Sequence, residues 1–442
     1  MKIKLSDHFN YKRLFIFVIP SICMMLFTSI YGIVDGYFVS NFAGEIEFSS
    51  VNFIYPFLMI LGSIGFMFGT GGSALVAKTL GEKNEIKANK IFSMIVYVSI
   101  VIAILLAIFG CIFIKDIALL LGADSDMLDN CVIYGRIILL ALPFFVLQFE
   151  FQSFLIVAEK PRFGLVVTII AGCANMILDA LLIAVLKLGI AGAAIATAAS
   201  QVVGGIIPLF YFIKKNNSQL RLTKTNLDGR ALFKTCLNGS SEFVSNISMA
   251  LVGMLYNFQL MKYIGKEGVS AYGTFMYIGM IFIAIFIGYS NGIAPIISYN
   301  FGCKNTNELK NLFKKSMKII IAGSFLMLVL SELLAGPLAY LYVGYNTKLY
   351  EMTKYVIEIG SISFIFTGLV IFSSSFFTAL NDGVVSALIS FLRTLVFQVI
   401  AIIVLPFIFK EEGIWWSINI SEFLSVIVVI IFIIVFKKKY QY

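Results

Sequence analysis

Apolar residues run along this chain in long blocks separated by short polar connections, and the blocks recur from one end to the other. Each is long enough for an α-helix, rising about 1.5 Å per residue, to cross a hydrocarbon layer about 30 Å thick. The blocks cover 14–38, 49–77, 91–114, 131–157, 163–186, 190–213, 238–262, 271–299, 317–343, 355–379, 384–408 and 413–436. The pattern predicts an all-α membrane protein with twelve transmembrane helices. The first block follows a basic stretch (Lys2, Lys4, Lys12, Arg13), as a secretory signal would. It is too long for one, lacks a small-residue cleavage site and is followed by eleven more blocks, so it reads as the first helix.

Composition agrees: of 442 residues, 60% are hydrophobic and only 13% charged. The net charge of +9 raises the question of a nucleic-acid partner. Its distribution argues against one. The basic segments 1–13, 78–90, 159–162, 214–234, 303–318 and 437–439 fall on alternate connections, whereas the others are acidic or nearly neutral, as at Asp116, Asp124, Asp126 and Asp129. Positive charge collects on the cytoplasmic side of membrane proteins, so a multi-pass protein of the cell membrane with both termini in the cytoplasm is expected. The six cysteines are scattered without a CxxC pair and read as small packing residues. The lone His8 lies in the N-terminal tail. With no histidine in any span, no His/Cys cluster and no nucleotide motif, an enzyme is not expected.

Laying residue n over residue n + 221 brings Gly32 onto Gly253, Gly44 onto Gly265, Gly71 onto Gly292, Gly81 onto Gly302 and Gly192 onto Gly413. The segment GEKNEIKANKIF (81–92) falls on GCKNTNELKNLF (302–313). Half-length repeats of six spans each have the same orientation, which predicts two six-helix lobes related by a pseudo-twofold axis along the membrane normal. The expected division is an N-terminal lobe over 1–213, a cytoplasmic linker over 214–237 and a C-terminal lobe over 238–442.

Two aspartates interrupt the apolar blocks, Asp35 in the first and Asp179 in the fifth. A carboxylate at membrane depth costs roughly 2.5–3.5 kcal/mol on insertion scales, so such residues mark functional sites by default. Counting from the helix ends, Asp35 lies about 9 Å and Asp179 about 12 Å below the outer surface. Asn175 is one turn from Asp179 on the same face, and Thr197 in the sixth helix reaches a similar depth. Two carboxylates with an amide and a hydroxyl suit a hard cation such as Na+, or share a proton. Pro20, in the middle of the first helix, removes a backbone hydrogen bond and favours a bend there.

The chain resembles the multidrug and toxic compound extrusion (MATE) family over essentially its whole length. The resemblance is carried by IPSICMMLFTSIYGIVDGYFVS in the first helix, KTLGE after the second, AEKPRFG after the fourth, NMILDALLI in the fifth and GIAGAAIAT opening the sixth. It implies a coupling-cation site at Asp35, Asn175, Asp179 and Thr197, and matches the family's helix-one proline to Pro20. Some members carry further acids in helices seven and ten; here those places hold Met249 and Val370. Glu242 stands nearer the start of helix seven.

Gln148, Glu150 and Arg393 are further polar residues that could line a cavity, and Arg393 could instead pair with Glu422 across the second lobe. The expected function is a Na+- or H+-coupled antiporter, without other cofactors, that exports amphipathic and often cationic drugs or toxic compounds as a monomer in the lipid bilayer. A lipid-linked oligosaccharide or cell-wall precursor flippase of the same superfamily is the alternative, and a membrane-embedded enzyme or sensor a third.

Overall fold

The computed structural model describes residues 3–344 and 346–442, so Lys2 of the basic N-terminal stretch lies outside the described residues. Among the described residues, eleven continuous helices are long and apolar enough to span a membrane: α1 (Tyr11–Ala43), α2 (Ile46–Gly81), α3 (Glu85–Leu121), α4 (Ser125–Val157), α5 (Pro161–Val185), α6 (Gly189–Ile213), α7 (Gly229–Tyr263), α8 (Lys266–Gly302), α9 (Thr306–Val343), α11 (Gly383–Phe409) and α12 (Glu411–Tyr440). The twelfth, α10, is two pieces, Thr347–Ser361 and Phe364–Ala379, meeting at 47°. A single straight span over 355–379 is therefore corrected to a broken one. At the break, the Ser361 and Ser363 hydroxyls donate to the carbonyls of Glu358 and Gly360, a local alternative to the helical ladder. Large apolar side chains such as Leu105, Ile112, Phe325 and Phe407 are exposed on the outside of the bundle, as a lipid-facing surface requires.

The helix starts follow from polar caps. Asn10, Asn84, Asp124, Asn305 and Asn346 each accept from a backbone N–H three residues on, satisfying a donor that the helix itself leaves unpaired. Asp228 caps α7 in the same manner, accepting from Arg230 and Ala231. Helix α7 thus begins at Gly229, ahead of the apolar block expected from 238. Charge misled the sequence boundary: Arg230 and Lys234 lie within the first turns of a helix.

The repeat is visible in the turns. Gly44 and Gly265, Lys83 and Lys304, and Gly189 and Lys410 are pairs at the repeat spacing, and all six have positive φ. Lys410, at φ 52°, adopts a left-handed conformation where the first lobe has a glycine.

The lobes touch across equivalent helix pairs. A methyl group on Gly81 would sit 2.1 Å from the Tyr299 carbonyl oxygen, and one on Gly302 2.1 Å from that of Lys78, its repeat counterpart. Likewise Gly71 of α2 abuts the backbone of Thr235 and Gly239 in α7, while Gly292 of α8 abuts Val18 and Ser21 in α1. All of these contacts lie in the half of the molecule that bears the termini and the basic connections. In the other half, Gly32 and Gly253 have nothing within 4 Å of where a Cβ would be. The molecule is closed at its basic end and splayed at the opposite one.

The N-terminal tail braces that closed end. Leu5 and Phe9 are buried. The Leu5 N–H donates to Glu159 of the first lobe at 2.9 Å, while Asn300 of α8 donates to the Leu5 carbonyl. Glu308 of α9 accepts from the Phe9 N–H at 3.0 Å and meets His8 Nδ1 at 2.6 Å. Asn311 and Lys315 donate to the Phe9 carbonyl.

Candidate functional site

Three helices of the first lobe bring the four expected residues together. Asp35 reaches inward from α1, one turn before that helix changes from α to π spacing at Val39. Asn175 and Asp179 share a face of α5, and a second π segment begins immediately after Asp179, at Ala180. Such wide turns re-aim side chains and recur at functional sites. Thr197 comes from α6, where a run of small residues, Gly192 to Ala194, lets the helix approach the end of α5 closely.

Thr197 Oγ1 donates to Asp35 Oδ1 at 3.4 Å. Asp179 and Asn175 both lie beside the Asp35 carboxyl group. Asp179 and Asn175 are fully buried, at 0% and 1% exposure. Neither Asp179 oxygen nor either amide atom of Asn175 has a hydrogen-bond partner among the described residues. Two adjacent carboxyl groups cannot both be ionised cheaply in such surroundings. The cluster therefore calls for a cation or a shared proton, either of which would satisfy the orphaned oxygens. Among the described residues no group of three or more His, Cys, Asp or Glu side chains forms a metal site, and the donors here are the harder amide and hydroxyl oxygens.

Tyrosines complete the surroundings, and sequence reading passed over them. The buried Tyr134 of α4 turns its hydroxyl toward Thr197. Tyr31 of α1 and Tyr55 of α2 stand near Asp35. Tyr55 is 45% exposed. Tyr134 lies about 13 Å into α4 from its outer start, the depth already assigned to the acids, and the same depth count would have found it.

Pro20 lies about 22 Å along α1 from Asp35. It is outside the cluster, beside the α1–α8 contact made by Val18 and Ser21. Glu150 does not face a cleft: it is wholly buried against α3, where Ser99 donates to its Oε2 at 2.6 Å. Gln148 is buried inside the first lobe rather than between lobes. Arg393 pairs with Glu422, Nε to Oε1 at 2.8 Å, tying α11 to α12, and it sits on a π segment of α11. Glu242 of α7 faces this pair. All six cysteines are free.

Twelve apolar helices in two pseudo-symmetric lobes, with a buried acid pair in one, define a membrane transporter. The MatE family profile matches residues 20–181 and 243–404, one copy in each half, and the chain belongs to that family. Its relatives include the Multidrug export protein MepA of Staphylococcus haemolyticus (strain JCSC1435), 26% identical over 93% of this chain and 90% of that protein. The MepA of Staphylococcus aureus (strain MRSA252) is 24% identical over 97% of this chain and 94% of its own length. Among solved structures, MATE in complex with MaL6 superposes with a TM-score of 0.91 at 20% identity, covering 97% of this chain and 96% of that one. The outward-facing conformation of a multidrug resistance MATE family transporter of the MOP superfamily gives 0.90 at 20% identity, covering 97% and 95%. At these identities the structures establish the fold.

Proposed function

We propose that this protein is a cation-driven antiporter that exports amphipathic, often cationic compounds across the cell membrane by alternating access. The observation that carries the reading is the convergence of Asp35, Asn175, Asp179 and Thr197 from three helices into one buried cluster with unsatisfied oxygens. A structural role alone would be met more cheaply by neutral side chains. The names of the MepA relatives support drugs as the exported class.

Placing the basic connections in the cytoplasm, as the charge rule favours, makes the closed end cytoplasmic and the splayed end external. Na+ or H+ then enters the acid cluster from outside while the cleft discharges its substrate. The ion shifts the balance of states only by its differential affinity for them. Each chain carries both lobes and the whole cluster, so the monomer is the working unit. The flippase alternative gains nothing from Arg393, which is neutralised by Glu422 rather than free to bind an anionic headgroup.

The reading is tested in proteoliposomes loaded with a fluorescent cationic dye, with Na+ and proton gradients imposed separately. One of the gradients is expected to drive dye movement. Asp35→Asn and Asp179→Asn are each expected to lower the driven rate by about two orders of magnitude. Normal transport by both variants would falsify the coupling role.

A further inference from the structure

The second lobe keeps an acid that neither its packing nor the coupling reading accounts for. On α7, Thr235, Gly239, Glu242, Asn246, Met249 and Gly253 recur at three- and four-residue spacing and share one face of the helix. The inner end of that face packs on the first lobe, with Gly239 against the backbone of Met67 and Thr235 against Gly71. Glu242 stands about 5 Å further out along the helix, one turn beyond that contact. Outward from it the face is open. Met249 is 58% exposed, and Gly253 has nothing within 4 Å of where a Cβ would be. Glu242 thus lies half-buried at the floor of the cleft between the lobes.

Packing does not demand an acid there. At the repeat spacing of 221 residues Glu242 corresponds to Ser21, which fills the equivalent place beside Gly292 in the α1–α8 contact. A small hydroxyl suffices in the first lobe. Nor do the surroundings neutralise the acid. Arg393 is the cation that faces Glu242, and its Nε is engaged by Glu422 Oε1 at 2.8 Å. Among the described residues the Glu242 carboxyl has no hydrogen bond or ion pair; only its backbone carbonyl is used, by the Asn246 amide. Glu422, 2% exposed, keeps its second oxygen without a partner. Two carboxyl groups therefore share one guanidinium, and the group formed by α7, α11 and α12 holds one more acid than it can pair.

We propose that Glu242 is the subsite that receives the positive charge of the exported compound, a permanently charged lipophilic cation such as a quaternary ammonium or phosphonium. The proposal rests on the export reading and names the residue and the type of charge it selects. Such a cation offers no N–H or O–H, so it balances a carboxylate without the directed partners a hydrogen bond requires. Met249 lies two turns outward on the same face, about 10 Å along the helix. A methionine surface adapts to varied apolar bodies. A compound whose charge and apolar body are about that far apart reaches both. When the contact between Gly239 and Met67 parts, the same carboxylate opens to the basic side, so one site meets both sides in turn.

Binding is measured in detergent with no gradient, using tetraphenylphosphonium and, as an uncharged counterpart, triphenylphosphine oxide. Glu242→Gln is expected to weaken tetraphenylphosphonium binding at least about tenfold and to leave triphenylphosphine oxide within about twofold. Glu242→Asp, still an acid, is expected to keep most of the cation affinity. Unchanged cation affinity in Glu242→Gln, loss of both compounds together, or equal loss in the Gln and Asp variants overturns the subsite.

The second measurement uses the unaltered chain. Carbodiimide coupling of a soluble amine, read by mass spectrometry, is expected to modify Glu242. Saturating tetraphenylphosphonium should slow that coupling about fivefold or more, while the exposed Glu351 keeps its rate. No coupling at Glu242, or no protection there, also overturns the subsite. If no gradient drives dye export by the unaltered protein while these binding results hold, the antiport reading fails and the subsite stands.

Discussion

The Thr197 hydroxyl is the only donor among the described residues that reaches Asp35 in hydrogen-bond geometry, at 3.4 Å. Thr197→Ala removes a bond to a charged group, worth roughly 1.5–3 kcal/mol at ideal length and less at this separation. The expected outcome is a driving ion bound several-fold more weakly, with the maximal export rate largely kept, measured as the ion concentration giving half-maximal dye efflux. Arg393 offers a contrasting case. Removing it strands Glu422, 2% exposed, and breaking such a pair costs about 3–5 kcal/mol. Arg393→Met is therefore expected to lower the thermal midpoint sharply. Adding Glu422→Leu should restore it together with transport, if the pair only braces α11 against α12. The four cluster residues were legible because a polar atom inside an apolar run is conspicuous and its depth can be counted. Tyr134 was not conspicuous, since a tyrosine in a membrane helix looks like packing until its hydroxyl is seen to face Thr197.

Among the elements, α1 and α8 connect the acid cluster to the closed end. Pro20 cannot donate to the carbonyl four residues back, so α1 is most easily bent just where Val18 and Ser21 pack on Gly292. A bend there would loosen the α1–α8 contact while moving Asp35 at the other end of the same helix. The glycines at that contact admit little else. Gly81→Ala and Gly302→Ala each force a methyl group against a carbonyl oxygen, and overpacking of this kind costs about 1–3 kcal/mol. Since the strain exists only when the lobes are closed at the basic end, both variants are expected to shift the population toward the opposite state. Spin-label distances between positions near Lys160 and Lys304, on the two lobes, should lengthen; unchanged distances would remove the argument. The break in α10 was hidden from the sequence because Ser361 and Ser363 are ordinary membrane-helix residues until their hydroxyls compete for the ladder.

For the whole molecule, the N-terminal tail bonds to both lobes without belonging to either bundle. Removal of residues 3–9 deletes the bonds to Glu159 and Glu308 together and exposes Asn300 and Lys315. The expected outcome is a molecule that opens more readily at its basic end, seen as faster alkylation of Cys236, half-buried beside that closure, than in the intact chain. Helix number, membrane insertion, the half-length repeat and the identity of the four acid-cluster residues were determined by sequence alone. Each depends on local quantities: hydrophobicity per span, charge per connection, and depth along a helix of fixed rise. The state of the molecule was decided only in three dimensions. Closure at one end depends on which backbones meet, at Gly81 with Tyr299 and at Gly302 with Lys78, and a glycine does not announce its partner. The paired aspartates likewise acquire their chemistry only when folding removes their water and sets them side by side.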